Sequence, residues 1–516
     1  MWRQITEALR SFYFGGGWRA FLASFGDDPV DLSTGLLVVT KTDLVVPGRL
    51  PVTLTRTYQT NGAVTGPFGR GTTHTTQVVL LVEANRRSLQ FGDGRRVTLT
   101  QQPDGSYRNL TDGLMQGAVL TSPGGVPTVQ WKDGSKWVFG VTLSGGFGVT
   151  NLGLTQQIDR NGNTLTNTWS GSRITAITGP DGRQLLLDYD GSNRVTRVTD
   201  PIGRTVQYAY DGQGNLATAT DPEGGTTRYE YDSQNRMTRI TDPKNITYLQ
   251  NFYGPSGRVL RQIQANGSEY RFRYQLSGAT RSGAGCTVTN PPNGGATTIT
   301  LPFVACPTVD SWENLQAEYS ITSGTVLATT VVDPRGNLTI TRFNTRGYPI
   351  SRTDALSQTS TTVYTAANQA ASATDSLGRT TKFEYDAQGN AKKIIDPNNQ
   401  LTQFEYHAMF NRVAKITDAL NHVTEFTYDS ANGNLLTVKD PLTHLTTIAY
   451  NTFGQPTSVQ GPIATEPPTT FAYDTNGNLI TTTDPLGNTT HRVYDAVSRL
   501  TSLTDPCFIS RAAPEG

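Results

Sequence analysis

The sequence lacks a surplus of charge of either sign, and it lacks a long apolar run. Its 516 residues carry 43 lysine and arginine residues against 42 aspartate and glutamate residues. This balance excludes the basic surface that nucleic-acid-binding proteins need, so no nucleic-acid partner is predicted. No apolar run reaches the roughly 18 residues of a membrane-spanning helix, so no transmembrane span is predicted either.

The sequence also lacks the short motifs that carry enzyme chemistry. It contains no GxSxG elbow, no phosphate-binding Walker loop, no HExxH and no CxxC pair. We therefore assign no catalytic, cofactor-binding or metal-ligating residue, and we predict that the chain is not an enzyme.

Histidine is scarce, and two of the five histidines share a position. His422 and His444 each follow an aspartate by four residues in successive copies of a repeat. One interpretation is a two-histidine metal site on adjacent rungs. Other copies of the repeat place Gln400, Arg379 or Asn488 at that position, which favours a solvated turn residue.

What the sequence does contain is a tyrosine-aspartate step that recurs about every 21 residues. An aspartate-proline step follows most copies by 11 or 12 residues. A fixed period in this range is typical of one supersecondary unit that is copied and stacked. The tyrosine-aspartate steps begin at Tyr189, Tyr210, Tyr231, Tyr385, Tyr428, Tyr473 and Tyr494, and the aspartate-proline steps at Asp200, Asp221, Asp242, Asp396, Asp440, Asp484 and Asp505.

Each repeat predicts a β-hairpin. In the copy from Thr226 to Pro243, Tyr229 and Tyr231 alternate with charged residues, which is the period of a strand with one aromatic and one charged face. The aspartate then begins a turn, and a glycine supplies the positive φ that reverses the chain. Apolar residues three apart in the second strand, such as Met237 and Ile240, predict a bulge.

The repeats together predict an all-β fold of antiparallel hairpins. Hairpins are marginally stable alone, so we expect neighbours to bury each other's aromatic face. Because strand twist accumulates across many strands, the sheet must coil or close on itself.

Changes in character along the chain predict its domains. We expect a partly ordered leader at 1–26, a β domain at 27–150, the repeats at 151–506 with an insertion at 277–311, and a short tail at 507–516. Cys286 and Cys306 lie in the insertion and either form a disulfide or remain two thiols, while Cys507 has no obvious partner.

Two features allow functional alternatives. The aspartates suggest paired acid–base carboxylates or calcium loops at 159–163 and 474–478, but turn chemistry explains both the aspartate and the glycine. The aromatic stripes suggest a sugar-stacking surface, although aromatic residues at period two are more often the packed face of a sheet.

Both halves of the chain resemble one family. The segments Asp28–Gly35, Asp43–Gly48, Leu50–Tyr58 and Gly66–Gly69 resemble the N-terminal signature of bacterial Rhs proteins, although Thr72 stands where the family usually has tryptophan. Copies such as Tyr231–Pro243 resemble Rhs/YD repeats, which also occur in teneurins and insecticidal toxin complexes. The resemblance covers roughly residues 27–506.

The resemblance implies a hollow β-shell that encloses a C-terminal toxin in polymorphic toxins. Only ten residues follow Pro506, so we expect a truncated or orphan core, or one reading frame of a split locus. The leading hypothesis is a non-enzymatic, exported or cell-surface scaffold that encloses or presents a toxin or another polypeptide. The alternative is a cell-surface module that binds carbohydrate or mediates contact.

Overall fold

The computed structural model describes residues 29–60, 65–84, 86–92, 95–143, 149–254, 256–277 and 324–505. The predicted leader, all three cysteines with the predicted disulfide, and the tail lie outside the described residues. The chain divides into two compact units. Unit 1 comprises 1–40, 57–72 and 208–380, and unit 2 comprises 41–56, 73–207 and 381–516.

The first strands form two small sheets. One sheet has the order β1-β2-β5 and the other pairs β3 with β4. The strands are β1 (Val38–Val46), β2 (Val52–Gln59), β3 (Thr65–Gly66), β4 (Gly69–Arg70) and β5 (Thr72–His74).

The next strands close into a barrel inside unit 2. Each pairs antiparallel with its neighbour in sequence, and the last pairs back onto the first, with Gly153 opposite Val79. Two short 3-10 turns, Gly113–Met115 and Pro123–Gly125, connect strands of this barrel. The strands are β6 (Val79–Val82), β7 (Arg87–Gln90), β8 (Arg96–Gln101), β9 (Tyr107–Arg108), β10 (Val119–Thr121), β11 (Thr128–Gln130), β12 (Lys136–Leu143) and β13 (Thr150–Ile158).

The interior of this barrel is the apolar core of unit 2. Leu80, Leu89, Phe139 and Leu154 are fully buried there and pack with Met115. A barrel of this strand number is just wide enough for side chains to fill. The sequence did not predict this closure, because the strands are short and share no fixed period.

From β13 onward the sheet continues in sequence order as the repeats. The strands up to residue 276 are β14 (Thr164–Ser170), β15 (Arg173–Thr178), β16 (Gln184–Tyr189), β17 (Val195–Thr199), β18 (Thr205–Tyr210), β19 (Leu216–Thr220), β20 (Thr226–Tyr231), β21 (Met237–Thr241), β22 (Thr247–Tyr253), β23 (Val259–Gln264) and β24 (Glu269–Leu276).

The remaining strands follow from residue 326 onward in the same order. They are β25 (Val326–Val332), β26 (Leu338–Phe343), β27 (Pro349–Thr353), β28 (Thr359–Tyr364), β29 (Ala370–Thr374), β30 (Thr380–Tyr385), β31 (Ala391–Ile395), β32 (Leu401–Tyr406), β33 (Val413–Thr417), β34 (Val423–Tyr428), β35 (Leu435–Lys439), β36 (Leu445–Tyr450), β37 (Pro456–Gln460), β38 (Thr469–Tyr473), β39 (Leu479–Thr483), β40 (Thr489–Tyr494) and β41 (Leu500–Thr504).

The predicted all-β fold of sequential antiparallel hairpins is confirmed. The predicted alternation is also confirmed, since Tyr229 is buried while Arg228 and Glu230 are exposed. The predicted bulge lies in the second strand: Glu230 pairs with Arg239, but Tyr231 pairs with Met237. Thr238 is therefore the extra residue. The domain boundaries given above stay a prediction.

Candidate functional site: the turns along the sheet edge

The tyrosine-aspartate turn is held by its first side chain. In the turn that Asp386 begins, Oδ1 accepts the backbone N–H groups of Gln388 at 3.0 Å and Asn390 at 2.8 Å. The backbone N–H of Gly389 donates to the carbonyl oxygen of Asp386, and Gly389 has a φ of 76°. This geometry needs a carboxylate at the first position and a residue that tolerates positive φ at the fourth. The turn prediction is confirmed.

The fifth turn position holds the other carboxylate oxygen. The Nδ2 group of Asn390 donates to Oδ2 of Asp386 at 2.9 Å, and in other copies an arginine or a histidine takes the same place. Nδ1 of His422 lies 3.0 Å from Oδ2 of Asp418, and Nδ1 of His444 lies 2.9 Å from Oδ2 of Asp440. Each histidine thus contacts the aspartate of its own turn through an exposed side chain. These contacts match the interpretation as a solvated turn residue.

In several copies the tyrosine hydroxyl bonds the preceding hairpin, whereas that of Tyr210 donates to the carbonyl oxygen of Pro67. The hydroxyl of Tyr231 donates to the carbonyl oxygen of Leu216 at 2.9 Å, and that of Tyr428 donates to Val413 at 2.6 Å. The same bond, always to a carbonyl 15 residues earlier, is made by Tyr189, Tyr274, Tyr364, Tyr406 and Tyr494. The tyrosine therefore joins two hairpins as well as packing on one face. The sequence period contains this signal, but the hydroxyl bond was not predicted from it.

The ionisable groups of the turns and tyrosines respond to their surroundings. Burial raises the pKa of the Tyr385 hydroxyl to about 12, so it stays a hydrogen-bond donor at neutral pH. The side-chain and backbone hydrogen bonds from Arg379 lower the pKa of the Asp375 carboxyl. Hydrogen bonds from Asn488 lower the pKa of Asp484 in the same way. The turn aspartates are thus held as carboxylates that accept hydrogen bonds.

In unit 1 the N-terminal segment contacts turns and strands of the repeats. Nε of Arg70 donates to the carbonyl oxygen of Gln213 at 2.8 Å, and the hydroxyl of Tyr58 accepts the backbone N–H of Met237 at 2.9 Å. Farther along, contacts join Thr34 to Arg258 and Leu32 to Thr329. The segment that carries the N-terminal signature is therefore built onto the repeat hairpins.

In unit 2 two parts of the sheet meet turn to turn along a line that we call the turn seam. On one side lie turns of residues 131–183 with Arg49, and on the other lie tyrosine-aspartate turns of 386–499 or their degenerate copies. The hydrogen bonds join Lys132 to Asn390 and Asn411, Arg160 to Asn434, Asn163 to Phe453, Arg49 to Thr475, and Arg183 to Ala496 and Ser498.

The opposite edge of the late hairpins is formed by the aspartate-proline turns and their variants. In unit 2 this edge presents Leu420, Leu442 and Leu486, which are 72–87% exposed. Successive antiparallel strands place alternate turns at opposite ends, so the seam and the leucines occupy different edges of the sheet.

No group of three or more histidine, cysteine, aspartate or glutamate residues is arranged to hold a metal ion within the described ranges. In the turn at 159–163, both carboxylate oxygens of Asp159 accept hydrogen bonds from Asn161 or Asn163. At 474–478, both oxygens of Asp474 accept bonds from Asn478. These bonds match turn chemistry. No helix in the described part of the chain is long and apolar enough to cross a membrane.

Two family models match the chain. A domain of unknown function, DUF6531, matches residues 27–99, and the RHS repeat matches 189–226, 217–247, 364–400, 385–421 and 473–506. No curated protein gives a significant match.

Solved structures also match at low identity. Crystal structures of TcdB2-TccC3-Cdc42 and of TcdB2-TccC3 are both 12% identical, with TM-scores of 0.43 and 0.41, and they cover 90% and 92% of this chain. The Photorhabdus luminescens Tc holotoxin pore is 15% identical, with a TM-score of 0.29 and 88% coverage. The present chain spans 27–29% of the length of these three chains.

The RHS-repeat matches fall on the hairpins whose turns and tyrosine bonds are described above, and the DUF6531 match includes the N-terminal segment of unit 1. The recurrence of the repeat in phase, with one bonding scheme, identifies the chain as an Rhs/YD-repeat protein.

Proposed function

We propose that this chain is a non-enzymatic scaffold whose β-sheet forms a wall that encloses or presents another polypeptide, with a toxin as the leading candidate. The observation that carries the proposal is that hydrogen bonds stabilise the sheet at three levels. Aspartates hold the turns, tyrosines join neighbouring hairpins, and the turn seam joins two parts of the sheet in unit 2. The polar side chains in these hydrogen bonds stabilise the sheet and are therefore not available for catalysis.

The late hairpins offer a surface for the enclosed polypeptide. On strands β30, β32 and β34, Phe383, Phe404 and Phe426 occupy the same position, and each is only half-buried. Half-buried aromatic rows provide apolar contact without a fixed pocket, which suits a partner that is held without a single defined pose.

We also infer that the protein works outside the cell that makes it, since the Rhs resemblance implies export. This inference rests on the family.

The proposal is tested by protease protection of a bound polypeptide. The full-length chain is co-expressed with the polypeptide encoded beside it, purified by size-exclusion chromatography and treated with protease. We expect the partner to survive in the complex and to be degraded alone. Electron microscopy of the same fractions should show a curved wall around additional density.

A variant of the turn seam provides the control. Arg183→Ala removes the bonds to Ala496 and Ser498, and we expect protection to decrease. Arg499→Ala changes an exposed arginine that pairs with Asp495 of its own turn, and protection should persist. A partner that is degraded equally with and without the wild-type chain would refute the scaffold function.

The half-buried aromatic row also favours a second candidate function, carbohydrate binding at a cell surface. The rings of Phe383, Phe404 and Phe426 lie on successive repeats, and a row of aromatic rings is a surface on which sugar rings can stack. A glycan array with the wild-type chain and with Phe404→Ala separates the two functions. Specific binding that Phe404→Ala abolishes would favour the carbohydrate module, while the absence of any glycan signal would favour the scaffold.

A further inference from the structure

A cavity of about 410 Å³ lies on the turn seam of unit 2. Its wall includes the early turns at Asp133 and Asp159, together with Arg49, Arg160 and the late turn at Phe453. The volume is within the range of small-ligand sites. Nothing in the scaffold function requires a cavity here, since the seam is already joined by hydrogen bonds on either side of it.

The two arginines of the cavity have N–H donors without an acceptor among the described residues. A guanidinium has five N–H groups. Arg49 makes one hydrogen bond, from NH2 to the carbonyl oxygen of Thr475 at 3.0 Å, and Arg160 makes one long bond of 3.5 Å to Asn434. Nε of both arginines is covered and has no acceptor among the described residues.

The two carboxylates of the cavity are engaged elsewhere. Oδ1 of Asp133 accepts the backbone N–H and the hydroxyl of Ser135, at 3.0 and 2.6 Å. Asp159 accepts bonds from Asn161 and Asn163 on its two oxygens. Each carboxylate is therefore oriented into its own turn, and neither forms an ion pair with Arg49 or Arg160 in the described structure.

The charges around Arg160 also leave its positive charge only partly compensated. Burial lowers the pKa of the Arg160 guanidinium, and the positive charge of Arg412 lowers it further, against the partial opposing effect of Asp133 and Asp159. The ring of Phe453 lies 3.7 Å from the guanidinium carbon of Arg49 and covers one face of that group. A guanidinium covered on its face binds acceptors along its edge, in its own plane.

We propose that this cavity binds a small oxyanion, a phosphate or carboxylate group held between Arg49 and Arg160. The planar fork of donors on arginine matches the spacing of oxygens in both groups. Arg49 and Arg160 come from different segments on the same side of the seam, and each also hydrogen-bonds across it, to Thr475 and to Asn434. A bound oxyanion compensates both charges and holds the two side chains in place. Occupancy of the site therefore strengthens the seam. The proposal is independent of the scaffold function, because the cavity is present whether or not the wall encloses a partner.

The test is binding of inorganic phosphate and of acetate to the full-length chain, with sodium chloride at matched ionic strength. Isothermal titration measures stoichiometry and affinity, and thermal unfolding measures stabilisation. We expect one saturable site and a rise in Tm that chloride does not reproduce. Stabilisation by phosphate alone assigns a phosphate-type ligand, and stabilisation by acetate alone assigns a carboxylate.

Two substitutions locate the site. Arg160→Gln and Arg49→Gln should each weaken binding by about tenfold or more, because each removes a charge-assisted hydrogen-bond donor. The matched control Arg499→Gln removes an exposed turn arginine and should leave binding unchanged. If Arg160→Gln does not fold, Arg160→Lys keeps the charge and loses the fork, and it should still bind more weakly than the wild type. Equal effects of phosphate, acetate and chloride, or equal loss in Arg499→Gln, would overturn the proposal.

Discussion

The barrel of β6–β13 and the late hairpins of β31–β41 belong to the same compact unit, but different forces stabilise them. In the barrel, Leu89, Phe139 and Leu154 are fully buried in one apolar core. In the late hairpins Phe404 is half-buried and every residue of β41 is exposed. The barrel therefore depends on packing, whereas the late hairpins depend on turns and hydrogen bonds. Turn and hydrogen-bond contacts repeat from one hairpin to the next, whereas the whole barrel shares a single apolar core.

The largest difference in stability is expected between two phenylalanine substitutions, one in the barrel and one in the late hairpins. Phe139→Ala empties part of the barrel core and should lower the free energy of unfolding by about 3–5 kcal/mol. Phe404→Ala removes a ring that is already partly exposed to solvent, so a smaller loss of about 1 kcal/mol is expected. Urea unfolding followed by circular dichroism measures both. Equal losses would show that the late hairpins have a core of their own.

Substitution of two turn aspartates compares the turn seam, where Asp474 lies, with the opposite edge of the sheet, where Asp484 lies. Asp474→Ala leaves the buried amide of Asn478 without its acceptor, which costs about 1–3 kcal/mol. Asp484→Ala removes the acceptor of Asn488, which is exposed and can bond water instead, so a smaller loss of stability is expected. Thermal unfolding of the two variants gives the ranking, and a larger loss for Asp484→Ala would contradict it.

The hydrogen bond of the tyrosine hydroxyl is expected to contribute less to stability than the bonds of Asp474. Tyr428→Phe keeps the ring and removes the hydroxyl that donates to Val413, so a loss of about 1 kcal/mol is expected. Tyr107→Phe is the control, because the Tyr107 hydroxyl makes no hydrogen bond to any residue that the structure describes. If both variants lose the same stability, the bond between hairpins does not contribute.

Acid should weaken the turns through the same aspartates. The pKa values of Asp375, Asp484 and Asp495 are lowered in the folded protein. A lowered folded pKa gives stability that is present above the ordinary value near ~3.9 and is lost as the pH falls through the folded value. We expect the Tm to decrease as the pH is lowered from 5 toward 3. A Tm that is constant or rises over this interval would contradict the role of the carboxylates.

The smallest effect is expected for the exposed leucines. Leu486→Gln and Leu442→Gln change side chains that are 87% and 73% exposed, so stability should change by no more than about 0.5 kcal/mol. Leu154→Gln in the barrel core is the contrast and should prevent folding or strongly destabilise it. Analytical size-exclusion chromatography of the leucine variants should show less self-association than the wild type, because an exposed apolar edge promotes contact.

The sequence predicted what short-range chemistry determines. Alternation at Tyr229, the aspartate turns and the bulge opposite Tyr231 all depend on residues a few positions apart, and the structure confirms them. The closure of β13 onto β6 was not predicted, because it pairs residues about 70 positions apart through strands without a repeat. The seam was not predicted either: Arg183 and Ser498 are 315 residues apart, and no local pattern relates them.

The turn seam also restricts how such a chain can change length. Arg160 bonds Asn434, whereas Arg49 and Arg183 bond residues of later turns, so the two sides are matched one turn at a time. Duplication of one repeat between Asn434 and Thr475 would preserve every local hairpin and still give Arg49 and Arg183 new neighbours. Substitution of one repeat copy for another would keep these pairings in register, whereas insertion or deletion of a copy would shift them.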